Sequence, residues 1–201
     1  MDYDKSRVIL ALDNFSIPMS EDIIAKYQSQ VWGFKLNHNT YPYIGKNYNR
    51  IFCDYKLYDI PNTMCGIIEK LINDGCEMVT IHMSNNNAAI KALSQYSKDI
   101  KLLGVTILTS WDSNDVNMMF GDTLDNIFKR SMDVMQENNF YGMICSPKDI
   151  PLLPQTNLKF ICPGIRNKNS NDDQIRTDTP ENALSLGADF LVMGRSFFEN
   201  T

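Results

Sequence analysis

An α/β fold, a compact (β/α)8 or TIM barrel spanning residues 1–201 as one domain, is what this sequence predicts. Short apolar runs rich in β-branched residues alternate with amphipathic stretches, the pattern of βα units around a parallel sheet. There are eight such runs, the number that closes this barrel. The length of 201 residues falls at the short end of the range of about 200 to over 400 residues seen for it. A hydrophobic content of 43% with 21% charged residues is ordinary for a globular protein with a real core.

Taken in order, strands are expected near 8–13, 31–36, 50–57, 78–82, 102–108, 141–145, 158–162 and 189–193. The first predicted helix, 20–29, takes Ser20 as its cap, with Glu21 and Asp22 in the first turn. The segment 36–53 is rich in Asn, Tyr and Gly, contains Pro42 and has no helical period, so the second outer helix is expected to be reduced or replaced by a loop. After the third strand Pro61 stops the extended chain, and Asn62 or Thr63 is placed to cap a helix over 63–74 that ends before Gly75. Further helices are predicted over 86–97, over 115–138 as one piece, and over 180–186 with Thr179 as cap and Pro180 at the first helical position. Only six residues follow Arg195, so no closing helix is expected. Its cover would come from dimerisation or from Phe197-Phe198 acting as an apolar plug.

Composition excludes several classes. A net charge of −5 without a long Lys/Arg run argues against general nucleic-acid binding, whereas a small anionic ligand needs only a few local cations. No apolar stretch reaches the roughly 18 residues of a membrane span, and Met1-Asp2-Tyr3-Asp4-Lys5 leads into a strand without the pattern of a signal peptide. Cys53, Cys65, Cys76, Cys145 and Cys162 are odd in number and lack C-x-x-C spacing, which reads as reduced, mostly buried thiols of a cytoplasmic protein. With His38 and His82 the only histidines, a thiolate nucleophile is disfavoured. His82 ends an apolar strand and reads as a structural histidine or a residue at a site mouth. Neither a Gly-rich dinucleotide turn nor a metal-ligand cluster is present, so no cofactor and no metal are expected.

The chemistry concentrates in Asp54-Tyr55-Lys56-Leu57-Tyr58-Asp59-Ile60-Pro61-Asn62-Thr63. In a strand from Ile51 to Leu57 the period of two puts Asp54 and Lys56 on one face, with Asp59 just past the strand end. A solvated charge cluster is the plainer alternative, but it requires neither a shared face nor so abrupt a turn. Asp13 ends the first strand and Lys35 nearly ends the second. In a parallel barrel these strand ends form the active face. Buried ions are costly unless paired, and alternating lysines and aspartates would pair them.

This decapeptide closely resembles the D-x-K-x-x-D-I-P-N-T signature of the orotidine 5'-monophosphate decarboxylase family. Further landmarks follow in that family's order: Val79-Thr80-Ile81-His82, Gly104 to Ser110, Pro163-Gly164-Ile165-Arg166, Asp173-Gln174 and Val192-Met193-Gly194-Arg195-Ser196. The resemblance covers residues 8–196. It implies a cofactor-free decarboxylation of orotidine 5'-monophosphate to uridine 5'-monophosphate, in a homodimer with shared active sites. Lys35, Asp54, Lys56 and Asp59 would form the charged array, with Asp59 and Thr63 supplied by the neighbouring subunit. Lys56 would stabilise and protonate the C6 carbanion, Asp13 would bind ribose hydroxyls, and Thr109 would lie at the base. Gly194 and Arg195, with Arg166 nearby, would hold the phosphate, and Gln174 would span phosphate and base on a closing loop, Asn167 to Thr177. On composition alone that segment reads equally well as a surface loop. Trp111-Asp112 departs from the family at the base contact.

Two other readings stay open: a metal-dependent sugar-phosphate decarboxylase or aldolase of the same barrel superfamily, and a nucleotide-binding protein without turnover.

Overall fold

The computed structural model describes residues 3–108, 111–167 and 178–198. Eight parallel strands close into a barrel in chain order. They are β1 Val8–Ala11, β2 Gly33–Leu36, β3 Ile51–Leu57, β4 Met78–His82, β5 Lys101–Val105, β6 Gly142–Ile144, β7 Lys159–Cys162 and β8 Phe190–Met193. β8 closes on β1 with Ile9 opposite Val192. Every predicted strand is present, shortened where its end feeds a loop. Strands buried on both faces read as nearly continuous apolar runs, which made them recognisable.

Alternation along the strands sorts two layers. Ile9, Phe52, Met78, Leu103, Ile161 and Val192 point inward and fill the lumen. Val8, Leu10, Leu36, Ile51, Cys53 and Val79 belong to the larger cluster between strands and outer helices. Ala11 pairs with Lys35 and Lys35 with Phe52, so the inward layer that is apolar deeper in the barrel becomes charged at its mouth.

The helices are α1 Ile17–Tyr27, α2 Tyr41–Ile44, α3 Pro61–Asn73, α4 Asn87–Ser94, α5 Ser113–Phe120, α6 Leu124–Glu137 and α7 Pro180–Ser185. Three differ from expectation. α1 begins three residues earlier: Ser16 is its cap, accepting from the Met19 N–H, and Ser20 is a fully buried residue inside it. Pro18 permits this, because proline fits the first turn, where its missing N–H is not needed. α3 likewise opens on Pro61, with Ile60 in the cap position and no side-chain cap bond, so Asn62 and Thr63 lie in its first turn. The single helix expected over 115–138 is two helices. Gly121 takes a left-handed conformation (φ 62°) that ends α5, and the Thr123 side chain caps α6. α7 has the expected Thr179 cap and Pro180 start.

The second outer helix is reduced to the single turn of α2, which buries Tyr41 and Ile44. Cover there is aromatic: His38 stacks on Tyr55 with ring centroids 4.2 Å apart, and Tyr41 meets the same ring edge-on at 5.8 Å. After β8 the described chain makes a short 3-10 turn, Arg195–Phe197. Phe197 is 1% exposed and packs edge-on against Tyr27 at 5.4 Å, while Phe198 meets Phe15 at 5.6 Å. The pair thus acts as the apolar plug. Among the described residues no helix is long and apolar enough to cross a membrane. All five cysteines are free thiols, four of them buried.

Phe197→Ala should lower the unfolding free energy by about 3–5 kcal/mol, read from urea titration. A loss under about 1 kcal/mol would show that this ring does not seal the barrel.

Candidate active site

Asp13, Lys35, Asp54 and Lys56 line one cavity of about 630 Å³ at the C-terminal mouth of the barrel. Its floor is apolar, formed by Ala11, Phe52, Val105, Ile144 and Val192. A further part of its rim comes from the turns after β7 and β8 and includes Gly164, Arg166, Gly194 and Arg195. The charged strand ends and the two guanidinium side chains therefore face a shared space.

The four charged groups form an alternating chain. The Lys35 ammonium bridges the Asp13 carboxylate and, at 3.2 Å, Asp54 Oδ2; that same oxygen accepts from Lys56 Nζ at 2.9 Å. Two ammoniums and two carboxylates sum to zero, which is how ions become tolerable where the side chains of Lys35 and Asp54 are only 11% and 14% exposed. Burial alone would lower the Lys35 ammonium, but the Asp54 and Asp13 carboxylates outweigh it and hold the group above the ordinary lysine value. Burial alone would likewise raise the Asp54 carboxyl. Lys35, Lys56 and a hydrogen bond from Thr80 outweigh that and hold it below the usual carboxylate range.

The strand is not regular at this point. Lys56 has φ 47°, and the three residues of β3 between Cys53 and Leu57 are set against one of β4, Thr80, between Val79 and Ile81. This bulge takes the Lys56 N–H out of the ladder, and Thr80 Oγ1 accepts it at 2.8 Å. The Thr80 hydroxyl in turn donates to Asp54 Oδ1 at 2.9 Å. Asn85 Nδ2 secures the end of the bulge by donating to the carbonyls of Leu57 and His82. Neither Thr80 nor Asn85 was singled out from sequence, since a threonine in a strand and an asparagine in a turn are commonplace.

The structure places the remaining candidates as follows. Asp13 joins the charged chain through Lys35, and its Oδ1 is buried without a hydrogen-bond partner. Asp59 and Thr63 are exposed beyond β3 and do not line the cavity; the Asp59 carboxylate accepts the Ile60 N–H. Thr109 and Gln174 lie outside the described residues. The Arg166 N–H donates to the Asp178 carbonyl at 2.9 Å. Gly164 adopts φ 76° at the start of that turn. Asn167 Nδ2 donates to the Ser196 carbonyl at 2.7 Å, and Ser196 Oγ donates to the Ile165 carbonyl at 3.3 Å. The turns after β7 and β8 are thereby tied together. His82 is half-buried, and burial together with the nearby Lys56 charge lowers its pKa; its Nδ1 accepts the Ser84 N–H. Trp111-Asp112 has a local reason: Asp112 caps α5 in a capping box with Asp115, and Trp111 packs near Phe120. Among the described residues no three His, Cys, Asp or Glu side chains converge as a metal site.

Residues 6–201 match the family model described as "Orotidine 5'-phosphate decarboxylase / HUMPS family". The chain belongs to that family. A relative from Wolbachia pipientis, named orotidine 5'-phosphate decarboxylase, is 36% identical over 75% of this chain and 70% of its own. One of the same name from Dictyoglomus thermophilum is 33% identical over 96% and 89%. The crystal structure of orotidine 5'-phosphate decarboxylase from Lactobacillus acidophilus shares the fold with a TM-score of 0.79 at 24% identity, covering 94% of this chain and 90% of that one.

The ion chain makes stability depend on pH in both directions. Because the folded Asp54 carboxyl lies below the ordinary aspartate value of 3.8, its contribution is complete above that value and is lost as pH falls through the folded pKa. Lys35, raised above 10.5, contributes fully below 10.5 and ceases to as pH rises through its folded pKa. The unfolding free energy of the protein, read from urea titration across pH, should therefore show a plateau with an acid and an alkaline limb. Asp54→Asn should lower the plateau by about 3 kcal/mol and make the acid limb shallower; an unchanged acid limb would detach Asp54 from it.

Proposed function

We propose that this protein is a cofactor-free carboxy-lyase that converts orotidine 5'-monophosphate to uridine 5'-monophosphate, a step of pyrimidine biosynthesis. One observation carries the reading: an alternating lysine–aspartate chain and two arginines from the turns after β7 and β8 line the same cavity. A nucleotide with a carboxylated base at one end and a phosphate at the other matches both in charge.

Breaking the bond between C6 and the carboxylate leaves an electron pair in the plane of the ring, where its π system cannot delocalise it. Stabilisation must then come from a fixed positive charge in a site shielded from water. Lys56 supplies that charge and afterwards donates an ammonium proton to C6, forming the new C–H bond as CO2 departs. Asp54, 2.9 Å from the Lys56 ammonium, orients it and faces the departing carboxylate. The apolar floor lowers the local dielectric, which strengthens the action of both groups.

Arg195 and Arg166 take the phosphate, for which a guanidinium fork is well shaped. Gly194 allows a close backbone approach, since a Cβ there would meet nothing within 4 Å. Asp13, which lines the cavity beside Lys35, accepts from the ribose. Thr109 contacts the base, and Gln174 spans base and phosphate. The active unit is a homodimer. Asp59 and Thr63, outside the cavity of their own protomer, reach the cavity of a second copy. Five free thiols support a reducing, cytoplasmic setting.

Loss of orotidine-monophosphate absorbance should follow addition of the purified protein and persist with chelator. Lys56→Ala should slow it by at least about 10³-fold. Binding without turnover by the unmodified protein would favour a nucleotide-binding role, and turnover abolished by chelator a metal-dependent relative. The shared site has its own assay. Asp59→Ala and Lys56→Ala proteins, each nearly inactive, should on mixing recover about a quarter of normal activity through heterodimers with one intact site. No recovery after demonstrated subunit exchange would place Asp59 outside the partner's site.

A further inference from the structure

We propose that Thr80 is a positioning residue that fixes the Asp54 carboxylate and the Lys56 backbone together for the chemistry at C6. This rests on the decarboxylase reading for its kinetic consequences and on geometry alone for its structural ones. Thr80 is fully buried on β4 and its hydroxyl is committed at both ends. The Lys56 N–H can only donate, so Thr80 Oγ1 accepts it at 2.8 Å. The single hydroxyl proton is then left for Asp54 Oδ1 at 2.9 Å.

Both ammoniums act on the other oxygen, Oδ2. Two charges on one oxygen leave rotation of the carboxylate weakly determined, because this terminal torsion has broad minima. The Thr80 bond to Oδ1 removes that freedom. The same hydroxyl compensates the backbone of Lys56, whose φ of 47° is costly for a residue with a Cβ and turns its N–H away from the ladder. One side chain thus sets both where the ammonium stem begins and how the carboxylate that orients its tip is turned.

The charged groups around Asp54 are Lys35 from β2 and Lys56 on its own strand, with Asp13 from the end of β1 beyond Lys35 and His82 from β4 toward Lys56. Thr80 is the neutral member of this surround, so replacing it changes no formal charge.

The test compares Thr80→Val, Thr80→Ser and Thr80→Cys with the unmodified protein. Thr80→Val keeps the shape and removes both hydrogen bonds. It should lower kcat by about 10- to 100-fold with KM for orotidine monophosphate changed much less, and should move the Asp54 carboxyl titration upward, followed by carbon NMR of labelled aspartate. Thr80→Ser should restore both. Should Thr80→Val fail to fold, Thr80→Cys, with its weak donor, takes its place and should fall between serine and valine. The proposal is overturned if the variants lacking the hydroxyl keep normal kcat and Asp54 titration, or if serine performs no better than valine. If the unmodified protein shows no turnover, the decarboxylase reading falls. The Asp54 titration in the ligand-free protein then decides whether Thr80 holds it: an upward shift in valine but not serine supports the role, and no shift refutes it.

Discussion

A single carboxylate oxygen, Asp54 Oδ2, is shared by two ammonium groups, and the mouth of the barrel is arranged around that sharing. A half-buried cation at a barrel mouth is expensive unless its counter-charge is fixed, and a fixed counter-charge needs a further cation to balance it. Asp13 extends the chain at one end through Lys35, and Lys56 ends it at the other with its side chain 40% exposed. The exposure gradient has a chemical meaning. The pair Lys35–Asp54 is enclosed and acts as an anchor, whereas Lys56 is the member that reaches into the open cavity.

Closure of the barrel supplies the precision that such an arrangement requires. Three of the four groups stand on β2 and β3, whose spacing is fixed by hydrogen-bonded register with Lys35 beside Phe52, and Asp13 follows two residues after β1, which pairs Ala11 with Lys35. Rigid elements position side chains more closely than loops do. The rim that carries Arg166 and Arg195 has no such ladder. There the turns after β7 and β8 are linked through Asn167, Ser196 and Ile165, which couples the two arginine-bearing segments by polar bonds between loops.

The strands were legible because burial on both faces leaves a plain apolar signature, and the expected poverty of the second helix was legible in the absence of any apolar period before Arg50. Boundaries were less so. Two serines flank Pro18, and propensity does not choose between them; the tolerance of proline in a first turn does. The break at Gly121 was hidden because apolar residues continue on both sides of it. At the site, residue types and strand ends could be read, but partnership could not. Asp13 belongs to the ion chain because β1 pairs with β2, a tertiary fact, and Thr80 stands out only once the bulge at Lys56 leaves an N–H in need of an acceptor.

Tyr55 lies between Asp54 and Lys56 in sequence and points to the opposite side of the wall, where His38 and Tyr41 clasp its ring. The irregular stretch of β3 is therefore gripped from within by charge and from without by stacking. In this barrel the thin outer skin is a direct neighbour of the innermost chemistry. Drift in the sequence of the 37–47 segment is constrained by what it touches, one peptide unit away from Asp54 and Lys56, even though that segment contributes nothing to the lumen.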